Sequence, residues 1–214
     1  MTRPGYEQNV RIILGELALD GILGLPSDPR GVIVFAHGSG SGRLSPRNNF
    51  VARHLQQNGL ATLLLDLLTP DEAEDRRNVF DIDLLADRVL LTKAWLEQEP
   101  RTKKLGIGYF GASTGAGAAL QSAAREPSNI QAVVSRGGRP DLAETYLPSV
   151  TAPTLLIVGG WDEPVIEMNR TAFELLICEK KLVIVPGATH LFEEPGTLEQ
   201  VANHACAWFL QHRH

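Results

Sequence analysis

The 214-residue sequence lacks the features that mark disulfide-rich, metal-binding and membrane-spanning proteins. It contains two cysteines, Cys178 and Cys206, which do not have metal-ligand spacing. Both lie in predicted helices, so we expect two buried, reduced thiols, as suits a reducing compartment. No window approaches the about 18 apolar residues that a membrane span needs, and residues 1–9 contain no apolar signal region. We therefore expect a cytoplasmic protein with no membrane partner.

The chain also lacks the clustered basic residues of a nucleic-acid surface. Its formal net charge is −5 and its isoelectric point is about 5.7, so we expect no nucleic-acid partner. The hydrophobic fraction of 43% and the charged fraction of 21% are typical of a globular protein. The length, without repeats, linkers or low-complexity segments, predicts a single domain over residues 1–214. The sequence leaves the number of subunits open.

Short apolar runs alternate with amphipathic segments along most of the chain. Residues 10–14 and 16–25 predict two strands, and Asp20-Gly21 inside the second run is typical of a hairpin turn. The charged residues 71–77 predict a solvated loop. Six further strands are predicted at 31–36, 61–65, 105–110, 130–134, 153–158 and 181–185, with helices between them, including one at about 165–178, and a last helix at about 197–210. This alternation predicts an α/β protein with a mostly parallel, twisted sheet and helices on both faces.

The most informative motif is Gly111-Ala112-Ser113-Thr114-Gly115, a G-x-S-x-G between a predicted strand and a helix of small residues. A serine on a strained strand-to-helix turn needs neighbours without side chains, because Cβ atoms would collide with the adjacent strand and helix. We predict a nucleophile elbow in which the Ser113 hydroxyl reacts. Taken alone, the pentapeptide is equally typical of a glycine-rich turn in a nucleotide-binding or structural protein.

Polar residues follow the other predicted strands, and parallel sheets place their sites at the carboxyl ends of strands. The chain order Ser113, Asp162, His190 is the nucleophile–acid–base order of one known catalytic triad. His190 would take the serine proton, and Asp162 would orient the imidazole. Glu163 is the nearest alternative to Asp162, and Asp141 is a more distant one.

A tetrahedral oxyanion needs two backbone donors. We predict the N–H of Thr114, next to the nucleophile, and the N–H of Ser39, in the glycine-rich loop after residues 31–36. His37 is expected to order this loop by hydrogen bonding, and Asp66 to cap or brace a loop.

Four segments together resemble the α/β-hydrolase fold, and within it the dienelactone hydrolase-like branch of small enzymes without a lid. They are Phe-Ala-His37-Gly38-Ser39-Gly40, Gly111-Ala-Ser113-Thr-Gly115, Gly159-Gly-Trp-Asp162-Glu-Pro-Val165 and Val185-Pro-Gly-Ala-Thr-His190-Leu-Phe. The resemblance implies hydrolysis of an ester or related acyl bond of a small molecule, without a metal or an organic cofactor. Dienelactone hydrolases proper have a cysteine nucleophile, so Ser113 favours a serine esterase that works through an acyl-enzyme.

Two arginines follow the strand next to the elbow strand. Arg136 or Arg139 could bind a substrate carboxylate, or could instead pair with Asp141 or Glu144. The short segment 136–153 leaves no room for a long lid, which predicts an open site for modest-sized substrates. The candidate apolar walls of that site are Leu44, Trp161 and Leu191.

Other functions remain compatible with these residues. A thioesterase, lactonase, amidase or acyltransferase would use the same groups as an esterase. A non-catalytic binding protein could keep the fold, since folds do not dictate function.

Overall fold

Eight strands form one sheet in the computed structural model, which describes residues 6–15 and 17–213. In chain order they are β1 (Tyr6–Leu14), β2 (Leu17–Leu25), β3 (Val32–Ala36), β4 (Ala61–Leu65), β5 (Ile107–Ala112), β6 (Ile130–Arg136), β7 (Thr154–Gly159) and β8 (Lys180–Val185). Their order across the sheet is β1-β2-β4-β3-β5-β6-β7-β8. The β1–β2 and β2–β4 pairs are antiparallel and the other pairs are parallel, so the predicted, mostly parallel sheet is confirmed.

Helices cover both faces of the sheet. They are α1 (Pro46–Gln57), α2 (Pro70–Glu74), α3 (Arg76–Val79), α4 (Ile82–Leu96), α5 (Thr114–Arg125), α6 (Glu163–Leu175) and α7 (Thr197–Gln211), with a 3₁₀ segment at Pro140–Ser149. Alternate residues of β3 enter opposite core layers. Val32 and Val34 pack in the layer that includes α4 and α5, whereas Ile33 and Phe35 pack in the layer that includes α1 and α7. Burial on both faces explains the unbroken apolar sequence of this strand.

The hairpin turn predicted at Asp20-Gly21 is wrong. Both residues lie within β2, where Gly21 is paired with Val10 on one side and Leu65 on the other. The chain instead reverses between Leu14 and Leu17, where Gly15 has a positive φ of 62°. A Cβ on Gly21 would lie 3.1–3.2 Å from atoms of both neighbouring strands. The glycine therefore serves close strand packing rather than a turn.

The charged residues 71–77 are largely exposed, as predicted, but they form α2 and α3 rather than a loop. Thr69 and Glu72 form a reciprocal capping box at the start of α2, and Pro70 is its first residue. The carboxylate of Asp75 caps α3 by accepting the Arg77 N–H. The charged residues thus satisfy helix ends, which is a local signal that the sequence does contain.

One predicted cysteine position needs correction. The helix predicted at about 165–178 ends at Leu175, so Cys178 lies in the turn before β8 and is only half-buried. Cys206 is buried in α7, as predicted.

The segment between β6 and β7 contains only the 3₁₀ segment, and no lid is inserted there. Across the described ranges, no helix combines the length and the apolar character that crossing a membrane requires.

Candidate active site

Ser113 connects β5 to α5 in a conformation that few non-glycine residues adopt, with φ 51° and ψ −125°. The flanking glycines make this turn possible. A Cβ on Gly111 would lie 2.4 Å from the Ala116 Cα, and a Cβ on Gly115 would lie 2.2 Å from the Ala36 carbonyl oxygen. Both contacts are far inside van der Waals distance and involve backbone, so larger residues would break the turn. This is the local geometry that the G-x-S-x-G pattern predicted.

The backbone of Ser113 is fixed from several directions. Its N–H donates to the Arg136 carbonyl at 3.4 Å, and its carbonyl accepts from the N–H groups of Ala116 and Arg139. The elbow is therefore tied both to its own helix and to the residues that follow β6.

Asp162 and His190 lie side by side at the ends of β7 and β8. The His190 Nδ1 is 2.6 Å from an Asp162 carboxylate oxygen, and Asp162 is the more buried partner. Asp162 occupies the N-cap position of α6, but its carboxylate does not cap the helix. Glu163, the nearest alternative, is exposed, and Asp141 pairs with Arg139. Of the three carboxylates weighed from the sequence, Asp162 is the one that contacts the histidine.

Gly137 links this pair to the elbow. It follows Arg136, whose carbonyl accepts the Ser113 N–H, and a Cβ on Gly137 would lie 3.6 Å from the His190 Cε1. Ser113 and His190 thus lie at the same edge of the sheet, and both contact the segment Arg136–Gly137. Within the described residues the Ser113 hydroxyl forms no hydrogen bond.

The glycine-rich loop after β3 packs directly on the elbow. A Cβ on Gly38 would lie 2.8 Å from the Ser113 Cβ. The Ser39 N–H, one of the two predicted oxyanion donors, donates at 3.1 Å to the hydroxyl of Thr114. The structure therefore brings Ser39 and Thr114 together, with the Thr114 side chain as the present acceptor of the Ser39 N–H.

His37 orders this loop through both ring nitrogens. Its Nε2 accepts the Leu67 N–H at 3.0 Å, so the ring proton lies on Nδ1, which donates to the Gly38 carbonyl at 2.9 Å. Burial is the main cause that lowers the pKa of His37 from its ordinary 6.5. A neutral imidazole is thus held between β3 and β4.

Asp66 braces the same loop through a partner that sequence reasoning missed. Its carboxylate accepts the Arg43 backbone N–H at 2.7 Å and also binds the Arg43 guanidinium. Arg43 and Asp66 are 23 residues apart. No local pattern connects residues so far apart in the chain.

A cavity of about 290 Å³ opens beside the elbow. The sequence did not predict α2 and α3, and they form part of its wall. The cavity is lined by His37, Gly38, Ser39, Gly40, Ser41, Asp66, Leu68, Thr69, Pro70, Ala73, Val79, Leu85 and Thr114. Leu44, Trp161 and Leu191, the predicted apolar walls, are exposed and do not line it.

The two arginines after β6 have different surroundings. Arg139 forms a two-pronged ion pair with Asp141, with contacts of 2.7–3.1 Å, which is the alternative to substrate binding that the sequence left open. Arg136 exposes 8% of its surface and donates to the Asn48 side chain.

No group of three or more histidine, cysteine or acidic residues within 6–15 and 17–213 could hold a metal ion.

A parallel sheet that carries a strained serine elbow, with an aspartate–histidine pair at the same edge, defines a protein of the α/β-hydrolase fold. A family model described as "Dienelactone hydrolase family" matches residues 19–211. The chain therefore belongs to the dienelactone hydrolase family.

One solved structure agrees with this assignment, and a more distant one shares the fold. The chain is similar to a dienelactone hydrolase from Anabaena variabilis ATCC 29413, with 56% identity, a TM-score of 0.96, and coverage of 98% of this chain and 99% of that one. Est1E from Butyrivibrio proteoclasticus is 18% identical, covers 95% of this chain and 98% of its own, and shares the fold with a TM-score of 0.81.

Two curated relatives come from Mycobacterium tuberculosis, strains CDC 1551 / Oshkosh and ATCC 25618 / H37Rv. Each is 57% identical over 209 residues and carries the name "Putative phosphoribosyl transferase". The match covers 98% of this chain and 47% of each relative. The chain thus spans about half the length of these relatives.

Proposed function

We propose that this protein is a serine hydrolase that cleaves a carboxylic ester of a small molecule through an acyl-enzyme on Ser113. The observation that carries the proposal is the strained Ser113 elbow at the same sheet edge as the 2.6 Å Asp162–His190 contact. A serine hydroxyl is a weak nucleophile at pH 7 and needs a base that a third group orients.

In the proposed reaction, His190 Nε2 removes the Ser113 proton as the serine oxygen attacks the ester carbonyl carbon. Asp162 holds the Nδ1 proton and stabilises the imidazolium. When the tetrahedral intermediate collapses, the carbon–oxygen bond to the alcohol breaks and His190 gives its proton to the leaving alcohol. Water then attacks the acyl-enzyme with His190 again as the base, which releases the acid and restores Ser113.

The oxyanion would accept hydrogen bonds from the Thr114 and Ser39 N–H groups. Because the Ser39 N–H now donates to the Thr114 hydroxyl, the oxyanion would have to share this donor or displace that hydroxyl. One well-placed donor of this kind typically lowers the barrier by about 2.7–4 kcal/mol.

The cavity beside Ser39 and Thr114 would hold a small acyl or alcohol group of the substrate. Leu44, Trp161 and Leu191 would contact only a substrate that extends beyond it. A thioester, a lactone or an amide remains an alternative bond. We propose acyl chemistry for this chain, rather than the activity named for the mycobacterial relatives, because the chain contains the Ser113 elbow and the Asp162–His190 pair.

The test is to replace Ser113 with alanine and to measure p-nitrophenyl ester hydrolysis and covalent labelling by a fluorophosphonate. We expect a loss of about 10⁶-fold in kcat and no labelling. Ser135→Ala is the matched control, since this buried serine lies outside the elbow; it should label and turn over normally. A wild-type protein that neither labels nor hydrolyses any ester would favour the non-catalytic binding protein.

A further inference from the structure

The segment from Arg136 to Arg139, which follows β6, is bonded at both ends to the elbow. The carbonyl of Arg136 accepts the Ser113 N–H at 3.4 Å, and the N–H of Arg139 donates to the Ser113 carbonyl at 3.0 Å. Between these bonds, a Cβ on Gly137 would lie 3.0 Å from the His190 carbonyl oxygen and 3.6 Å from its ring atom Cε1. We call this segment the bridge, because it contacts both the serine and the histidine of the site.

A buried asparagine of α6 holds the middle of the bridge. Asn169 has no exposed surface, and its Nδ2 donates at 3.0 Å to the Gly138 carbonyl and at 2.8 Å to the Val165 carbonyl. Since both neighbours are carbonyl oxygens, only the NH₂ group of the amide fits against them. Within the described residues its Oδ1 accepts no hydrogen bond. An unpaired buried oxygen destabilises a fold, so packing alone does not explain an asparagine at this position.

The same helix carries the aspartate of the site. Asp162 is the N-cap residue of α6, and its carbonyl accepts the Ile166 N–H at 2.9 Å. Val165, which receives one of the two Asn169 bonds, lies in the first turn of this helix. The carboxylate of Asp162 in turn contacts His190 at 2.6 Å. Asn169 therefore connects the turn that follows Asp162 with the bridge.

This connection joins groups that the sheet itself holds on separate strands. Ser113 follows β5, Asp162 follows β7 and His190 follows β8, while the bridge follows β6, which lies between β5 and β7. In the proposed reaction His190 must reach the Ser113 hydroxyl, so the bridge and α6 must keep their relative position. Misplacing catalytic groups by about 1 Å can cost about 100-fold in rate.

We propose that Asn169 is a positioning residue, which aligns the Asp162–His190 pair with Ser113 by fixing the bridge against α6. This inference rests on the proposed function. Asn169 is buried and is not among the residues that line the cavity beside the elbow. Its loss should therefore slow the chemical steps without weakening substrate binding.

The first experiment removes the bond to the bridge and measures turnover of a p-nitrophenyl ester. Asn169→Leu has a similar volume and no donor. Asn169→Ser keeps a hydroxyl that can bond the Val165 carbonyl in its own helix but is too short to reach Gly138. We expect each variant to lower kcat by about 10- to 100-fold and to change KM by less than about threefold.

Ser122→Ala is the matched control, because the Ser122 hydroxyl has the same kind of partners but links α5 to α4. This serine is fully buried, and its Oγ lies 2.7 Å from the Ala118 carbonyl of its own helix and 3.0 Å from the Ala86 carbonyl of α4. Loss of either buried side chain should lower the urea midpoint of unfolding. Only the Asn169 variants should lower kcat. Wild-type kcat in folded Asn169 variants, or an equal loss in Ser122→Ala, would overturn the positioning role.

The second experiment observes the site without turnover. The proton of the hydrogen bond between His190 Nδ1 and Asp162 should give a far-downfield proton NMR resonance, which is assigned by its loss in Asp162→Asn. We expect Asn169→Leu to shift or broaden this resonance and Ser122→Ala to leave it unchanged. Asn169→Ser serves in both experiments if the leucine variant does not fold.

The two measurements distinguish this inference from the proposed function. An unchanged resonance in the Asn169 variants would overturn the positioning role even if the wild type proves to be an esterase. A resonance that changes as expected, in a wild type that hydrolyses no ester, would support the positioning of the Asp162–His190 pair and refute only the proposed function.

Discussion

Gly38→Ala tests whether contact with the elbow positions the glycine-rich loop. The added Cβ would lie 2.8 Å from the Ser113 Cβ and 3.1 Å from the Ala112 carbonyl oxygen. Carbon atoms in contact prefer about 3.5–4.0 Å, so the loop and the elbow must separate by roughly 1 Å. Ser39, the next residue, would move with the loop.

A displacement of this size predicts a large catalytic effect and a small structural one. Misplacing catalytic groups by about 1 Å can cost about 100-fold in rate. Overpacking typically costs about 1–3 kcal/mol of stability, which a folded domain tolerates. We therefore expect kcat for a p-nitrophenyl ester to fall by about 100-fold in a protein that still unfolds cooperatively.

Gly31→Ala provides the control, because Gly31 precedes the same strand, β3, at its other end. A Cβ there would lie no closer than 3.4 Å to any other atom, and its φ is not positive. This variant should keep wild-type turnover. If Gly38→Ala were folded and turned over within about threefold of the wild type, packing on Ser113 would not set the position of the loop.

Two further predictions concern the other parts of the site. Asp162→Asn should lower kcat by about 10⁴-fold, as comparable substitutions do in other triads, whereas Glu163→Gln should leave kcat unchanged. If both variants lowered kcat equally in a steady-state assay, Asp162 would not be the residue that orients His190 through their 2.6 Å contact. Because the pKa of His37 is lowered in the folded state, its contribution to stability is full above pH 6.5 and is lost as the pH falls from 6.5 toward that lowered pKa. Urea unfolding between pH 8 and pH 5 should show a weaker pH dependence for His37→Asn than for the wild type; identical slopes would show that His37 is not the group responsible.

The elbow was predictable from sequence because its requirements are local. A Cβ on Gly111 or Gly115 would lie 2.2–2.8 Å from backbone atoms, so no residue with a side chain fits at either position. The strands were predictable for a similar reason, since burial on both faces leaves an unbroken apolar run. The turn prediction at Asp20-Gly21 was wrong because a glycine is required in a tight turn and also in a strand whose neighbours leave no room for a Cβ, as at Gly21.

Contacts between distant segments were not predictable. Arg43 meets Asp66 because β3 and β4 are neighbours, which depends on the order of strands in the sheet. The charged residues at 71–77 satisfied a general expectation for solvated loops, yet the Thr69–Glu72 capping box was present in the sequence as evidence for a helix.

Arg136 and Arg139 show how far the sequence can decide between pairing and binding. Three residues apart, they had the same two possible partners, a substrate or a nearby carboxylate. Arg136 is still in β6, where side chains alternate between faces, and it points to the layer of α1. Gly137, with φ 50°, then turns the chain, and Arg139 meets Asp141. Strand alternation and the turn therefore separate Arg139, which pairs with a carboxylate, from Arg136, which has no carboxylate partner in the described part of the chain and donates to Asn48 instead.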